Sequence, residues 1–259
     1  MLKERIISGL IGVVLILSIL YAGGVYWIAF FTFLGLGGLY EFNRIFKKEY
    51  NPPILVGLIL FLITMFYLYN KSLILSLVLF MVFLVIYLII KYPKVSIVDI
   101  TLSIFPALYI GFSFSFALLI LEEPHAFLIM LSIFLLTWTS DIGGYFFGSL
   151  WGKRKIAPKL SPNKTWAGSI GGIILSLITA LIFYKYAQIG NHNLFNLIIL
   201  GIMASIAAQA GDLFISSVKR IFAVKDTGSL IPGHGGILDR FDSFILVLPV
   251  VFALLTYFT

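Results

Sequence analysis

Four aspartates, Asp141, Asp212, Asp239 and Asp242, stand inside or beside the apolar stretches of this chain. Asp141 closes one such stretch and is followed by Gly143 and Gly144. A carboxylate at membrane depth is costly, so it points to function and calls for a cation or a donor as partner. Asp212 lies three residues after Gln209 and four before Ser216, which puts all three on one helical face. Hydrogen bonds between helices would account for Gln209 and Ser216, but an ionised aspartate asks for a positive partner. If a helix begins near Leu238, Asp239 and Asp242 share its first turn, close to the positive end of the helix dipole. Two carboxylates on one helix and one on a neighbour form an oxygen-rich site of the kind magnesium takes, with places left for phosphate oxygens. The plain alternative is a pair of ordinary helix-start acids balanced by Arg240.

Cations and small residues accompany the acids. Lys219, Arg220, Lys225 and Asp226 lead into Pro232, Gly233, His234, Gly235 and Gly236, a loop whose amides could approach a phosphate closely. His234 by itself reads as a hydrogen-bonded loop histidine. The stretch KLSPNKTWAG (159–168) reads as a short polar loop running straight into a helix. Ser161 or Asn163 can cap that helix, leaving Lys164 and Thr165 at its N-terminus, a good position for a phosphate. Gly168, Gly171 and Gly172 read as a close helix-packing surface.

The elements that must hold these residues are membrane helices. Of the 259 residues 61% are hydrophobic and only 11% charged, with mean hydropathy +1.08, which excludes a soluble globular domain. There is no cysteine, so disulfide and thiolate-metal chemistry are excluded as well. Apolar runs long enough to span a bilayer predict an all-α polytopic membrane protein with about nine helices. Their cores are 6–22, 25–42, 53–70, 73–91, 100–121, 126–148, 166–186, 194–216 and 241–258, with tight turns around Gly23 and Asn70. Placing the N-terminus in the cytoplasm puts every Lys and Arg except Lys71 and Lys185 on the cytoplasmic side. That basic face suits anionic headgroups and phosphorylated substrates. Its charge is split among short loops and forms no single stripe, which makes nucleic acid a poor alternative partner.

Residues 1–125 read as scaffold, including YEFNRIFKKEY (40–50), whose charges and aromatics look like an ordinary membrane-interface collar. Residues 126–259 carry the reactive positions.

The run Ser216, Val218, Lys219, Arg220, Lys225, Asp226, Gly228, Pro232, His234, Gly235, Gly236, Asp239, Arg240, Phe241, Asp242 resembles the signature of the CDP-diacylglycerol synthases, or phosphatidate cytidylyltransferases. The SPNKT and QAGD elements and the region of Asp141 are similar to that family too. The resemblance implies an integral membrane enzyme, expected in a prokaryotic inner membrane with its active site facing the cytoplasm. It would join CTP to phosphatidic acid, giving CDP-diacylglycerol and pyrophosphate, with magnesium and room for a second cation. It implies Asp212, Asp239 and Asp242 as metal-binding and catalytic, Lys219 and Arg220 as catalytic, and Asp141, Ser161, Asn163, Lys164, Thr165, Lys225, Asp226, His234 and Arg240 as substrate-binding. Membrane lipids are expected partners, and a homodimer is an open expectation. The sequence departs from the family pattern at Ala167 and Ile215, where glutamate is usual.

Two other readings compete. CTP-dependent activation of another lipid phosphate, isoprenoid or polyprenol, would use the same headgroup chemistry. An ion transporter would need polar residues across the full membrane depth, whereas here they gather toward one side.

Overall fold

The structure, a computed structural model, describes residues 2–67, 72–187, 193–230 and 235–258. Among these the chain forms nine α-helices: α1 (Leu2–Ala22), α2 (Gly24–Phe46), α3 (Ile54–Tyr67), α4 (Leu73–Lys91), α5 (Ile97–Leu121), α6 (Ala126–Trp151), α7 (Trp166–Ala187), α8 (Leu194–Ile221) and α9 (Leu238–Phe258). Each expected span has its helix. Seven of them, α2 and α4 to α9, are long and apolar enough to cross a membrane, whereas the described apolar stretches of α1 and α3 are shorter. Gly23 makes the α1–α2 turn in the left-handed region at φ 62°, as expected of a glycine. The turn expected around Asn70 falls outside the described residues.

One element was not expected. Between α6 and α7, β1 (Lys155–Ala157) pairs antiparallel with β2 (Ser161–Thr165), with Lys155 opposite Thr165 and Ala157 opposite Ser161. The polar stretch before α7 is therefore half of a hairpin and not a loop. The cap is corrected as well: Thr165, not Ser161 or Asn163, receives the Gly168 amide at 3.2 Å.

The chain divides into two units: residues 1–121 with 222–239, and residues 122–221 with 240–259. In the first unit, α2, α3 and α5 pack through aromatics. Phe31 meets Phe114 with ring centroids 5.6 Å apart, and Gly35 and Gly111 leave room for Phe61. Asp99 at the start of α5 fastens the preceding connections, accepting the Asn51 amide at 2.7 Å and the Ser96 amide at 2.8 Å.

In the second unit, α6 and α7 meet along a glycine seam. A Cβ at Gly143 would lie 2.5 Å from the Gly171 carbonyl oxygen, and one at Gly172 would lie 2.8 Å from that of Ser140. Where lipid supplies no hydrophobic drive between helices, such close backbone approach supplies van der Waals contact. Polar bonds tie α8 to both helices: Ser140 Oγ of α6 lies 2.7 Å from Ser205 Oγ, and Ser176 Oγ of α7 donates to the Gly201 carbonyl at 2.9 Å. Phe134 of α6 stacks on Phe244 of α9 at 4.3 Å.

Candidate active site

The second unit gathers three of the four aspartates. Asp141 comes from the cytoplasm-predicted half of α6, Asp212 from α8 and Asp242 from the first turns of α9. The reason α8 and α9 can bring theirs so near is Gly211. A Cβ there would run into the carbonyl oxygen of Asp242, and Ser243 Cα is also in the way. The Asp242 side chain turns back to accept its neighbour's amide, Ser243 N to Oδ1, at 2.7 Å. Ser243 Oγ lies 3.4 Å from Asp141 Oδ1. Asp141 and Asp242 both stand within electrostatic reach of Asp212 and of each other.

Positive charge meets this cluster from two elements. Lys164 on β2 places Nζ 2.7 Å from Asp212 Oδ2, with the ammonium atom itself buried. Lys219, two turns along α8 from Asp212, lies within electrostatic reach of Asp242. Ser216 donates to Asp212 Oδ1 at 3.2 Å. Gln209, on the same face, serves helix packing instead: its Nε2 donates to the Ser169 carbonyl at 3.2 Å and to Ser205 Oγ at 3.1 Å, while its Oε1 accepts from Ser169 Oγ. The sequence stripe thus splits into a packing residue and two site residues.

The hairpin carries Lys164 to the cluster and is itself tied down. Arg220 Nε donates to the Leu160 carbonyl at 3.2 Å, and the Trp166 amide donates to the Arg154 carbonyl at 3.0 Å. Arg220 thus docks the hairpin turn onto the end of α8. Ser161 is half-buried on β2, Asn163 is exposed, and Thr165 is buried beneath the cap.

In the first unit the rest of the signature folds around a residue that the sequence reading passed over. Glu41 on α2 is 1% exposed. Its Oε1 accepts the Ile237 amide at 2.7 Å, and its Oε2 accepts the Leu238 amide at 2.9 Å and the Thr227 hydroxyl at 2.8 Å. A carboxylate on the free amides of a helix start satisfies both the hydrogen bonds and the dipole of α9. Asp239 turns to the same loop, its Oδ2 accepting from Thr227 N at 2.8 Å, Thr227 Oγ1 at 3.0 Å and Gly236 N at 3.0 Å. Gly235 holds φ 87°, and a Cβ at Gly236 would collide with Thr227 and Glu41. The Gly236 amide is thus taken by Asp239, and the Ile237 and Leu238 amides that follow it are taken by Glu41. Lys225 and Asp226 are exposed on the same segment, and Arg240 is exposed on α9. His234 and the rest of 231–234 lie outside the described residues.

The signal for Glu41 was present in the helix period. Leu34, Gly38, Glu41 and Ile45 recur along one face of α2 and are all buried, which puts the carboxylate inside and not at a membrane collar. At the two positions that depart from the expected pattern, Ala167 is half-buried and Ile215 is fully buried in α8.

Among the described residues no group of three or more His, Cys, Asp or Glu forms a ready-made metal cage. Magnesium, however, is commonly held by one or two carboxylates, with water and substrate phosphates completing its shell. Asp212 and Asp242, hard oxygen donors in a cluster that already holds an ammonium at 2.7 Å, fit that pattern.

Comparison with known proteins agrees with this chemistry. A curated phosphatidate cytidylyltransferase of Bacillus subtilis is 33% identical over 267 residues, covering 100% of this chain and 99% of its own. Those of Staphylococcus saprophyticus and Staphylococcus aureus are each 35% identical, covering 98% of this chain and 99% of their own. Residues 3–258 match the cytidylyltransferase family. With the match running through every helix from α1 to α9, the chain belongs to the cytidylyltransferase family.

Proposed function

We propose that this membrane enzyme is a phosphatidate cytidylyltransferase, transferring the cytidylyl group of CTP to phosphatidic acid, with release of pyrophosphate, at the cytoplasmic face of the membrane. The observation that carries the reading is the meeting of Asp141, Asp212 and Asp242 from three apolar helices with Lys164 from the hairpin. The reaction needs an environment of this kind. Both reactants are polyanions that repel each other, and the phosphate oxygen of the lipid must approach the α-phosphorus of CTP in line with the departing oxygen of pyrophosphate. The new P–O bond forms as the bond to the β-phosphate's bridging oxygen breaks, and the electron pair leaves with pyrophosphate.

In this proposal Asp212 and Asp242 hold magnesium, with Asp141 beside them. Asp239, three residues before Asp242 on the first turn of α9, stays in the metal set on the strength of the signature. Magnesium, when bound, supplies Lewis-acid neutralisation of phosphate charge. Lys164 and Lys219 supply fixed positive charge at the same cluster and stabilise the negative charge that moves to pyrophosphate. Ser216 holds one Asp212 oxygen, keeping that carboxylate oriented. No protein nucleophile takes part, and the lipid phosphate is already ionised, so no general base is required.

The test is incorporation of α-labelled CTP into lipid by the purified full-length protein, with phosphatidic acid, an isoprenoid ether lipid phosphate and a polyprenyl phosphate offered as acceptors. Label in CDP-diacylglycerol is the expected result. Label only in an isoprenoid or polyprenyl product would transfer the mechanism to another lipid and overturn the assignment of phosphatidic acid.

A further inference from the structure

The first unit contains a cleft of about 330 Å³ that the proposed mechanism leaves unused. It runs between the last turn of α2 and the segment following α8, and its lining includes Arg44, Lys48, Lys225, Asp226, Thr227 and Ser229. Three cations against one carboxylate leave it net positive, and its volume lies at the lower end of small-molecule sites. Cations at a helix C-terminus are commonplace, so charge alone does not make a site. Two further features show that this cleft is built.

First, its segment is anchored from below. Phe222 packs on Phe46 at 4.9 Å and on Tyr50 at 6.4 Å. Thr227, at 3% exposure, is bonded to the buried Glu41, one turn before Arg44 on α2. The same helix thus presents Glu41 inward, fixing the loop, and Arg44 outward, facing the cleft. Second, Ala223 on the cleft wall has φ 49°, in the left-handed region that a side chain rarely adopts. Such a conformation persists where the surrounding structure imposes it, and it concentrates at functional sites.

We infer that this cleft binds a phosphate group of one of the enzyme's substrates, with Arg44 and Lys48 joining Lys225 as its cationic wall. The inference rests on the proposed reading in that the phosphate belongs either to the nucleotide or to the lipid headgroup. Arg44 offers planar, forked donors to phosphate oxygens, and Lys48 and Lys225 offer point charges. Ser229 adds a hydroxyl beside them.

The test uses the full-length protein in detergent and the variants Arg44→Gln, Lys48→Gln, the two combined, and Arg44→Lys. KM is measured for CTP at saturating phosphatidic acid and for phosphatidic acid at saturating CTP, and pyrophosphate binding is measured by calorimetry without turnover. A charge-assisted contact corresponds to roughly tenfold in affinity. The combined variant, which removes two such contacts, is therefore expected to raise one KM by about tenfold to a hundredfold with kcat within about twofold of wild type, and Arg44→Lys to recover part of the loss of Arg44→Gln. Whichever KM moves identifies the source of the phosphate. Both KM values and the pyrophosphate affinity unchanged in a monodisperse combined variant would overturn the inference. If the combined variant does not fold, each single variant is held to the same standard at about tenfold. If wild type makes no CDP-lipid, the proposed function fails on its own; pyrophosphate binding lost in the variants would still support the cleft, and binding retained would end it.

Discussion

Replacing Glu41 with alanine isolates what the buried carboxylate contributes. In the native structure three donors converge on it: the Ile237 amide at 2.7 Å, the Leu238 amide at 2.9 Å and the Thr227 hydroxyl at 2.8 Å, around a side chain only 1% exposed. The Thr227 hydroxyl keeps an alternative acceptor in Asp239 at 3.0 Å, so the two amides bear most of the loss. A buried donor left without its acceptor costs about 1–3 kcal/mol, which gives about 2–6 kcal/mol for the pair. Glu41→Gln retains one acceptor oxygen but turns an amide donor toward N–H groups, so its cost falls between wild type and alanine. Amide hydrogen exchange of a peptide covering 235–240 reads the effect directly. At the lower bound, about 2 kcal/mol, exchange at residues 237 and 238 accelerates about 30-fold, and the temperature of half-inactivation in detergent falls in the order wild type, Glu41→Gln, Glu41→Ala. Unchanged protection at 237 and 238 in Glu41→Ala, with an unchanged inactivation temperature, would refute the claim that Glu41 holds the start of α9.

Three further outcomes follow from the same geometry. Gly211→Ala puts a methyl group against the Asp242 carbonyl, and since overpacking costs about 1–3 kcal/mol, inactivation at a lower temperature and reduced turnover are expected; wild-type values for both would contradict the close contact of α8 with α9. Lys164→Met removes the ammonium 2.7 Å from Asp212, so half-saturation by magnesium should shift to lower concentration while turnover slows, because a competing cation and a phosphate partner are lost together; an unchanged magnesium requirement would place Lys164 outside the cation site. Thr227→Ser keeps the hydroxyl between Glu41 and Asp239 and should retain most activity, whereas Thr227→Val leaves both carboxylates without it and should lose it, as measured by pyrophosphate release; equal activity in the two would show that the hydroxyl is dispensable.

What the sequence made legible depended on how local each determinant is. The start of α9 at Leu238 and the helical placement of Asp212 and Ser216 follow from patterns a few residues long, and the structure reproduces both. The glycine packing of α6 on α7 could be read from Gly168, Gly171 and Gly172 alone, although Gly143 and Gly144 supply the other half of the contact. The hairpin was illegible because SPNKT, with a proline and no alternation of apolar residues, carries turn chemistry and not a strand pattern. That mistake displaced the cap from Thr165 to Ser161 or Asn163. Glu41 was missed for a different reason: its partners lie 186, 196 and 197 residues away in the chain. No local window contains them, and a lone glutamate among aromatics and lysines resembles an interface collar. Arg220 also makes a contact that no local pattern announces, its Nε donating to the Leu160 carbonyl 60 residues away.

The central claim is that the cluster of Asp141, Asp212 and Asp242 carries magnesium-dependent cytidylyl transfer. It is tested most directly by pyrophosphate release from CTP and phosphatidic acid across a magnesium titration, comparing wild type with Asp212→Asn and Asp242→Asn. Each substitution preserves shape and removes one charge. The account predicts release by wild type that requires magnesium, and loss of release in both variants at every magnesium concentration while they remain monodisperse. Wild-type turnover in both variants would contradict it.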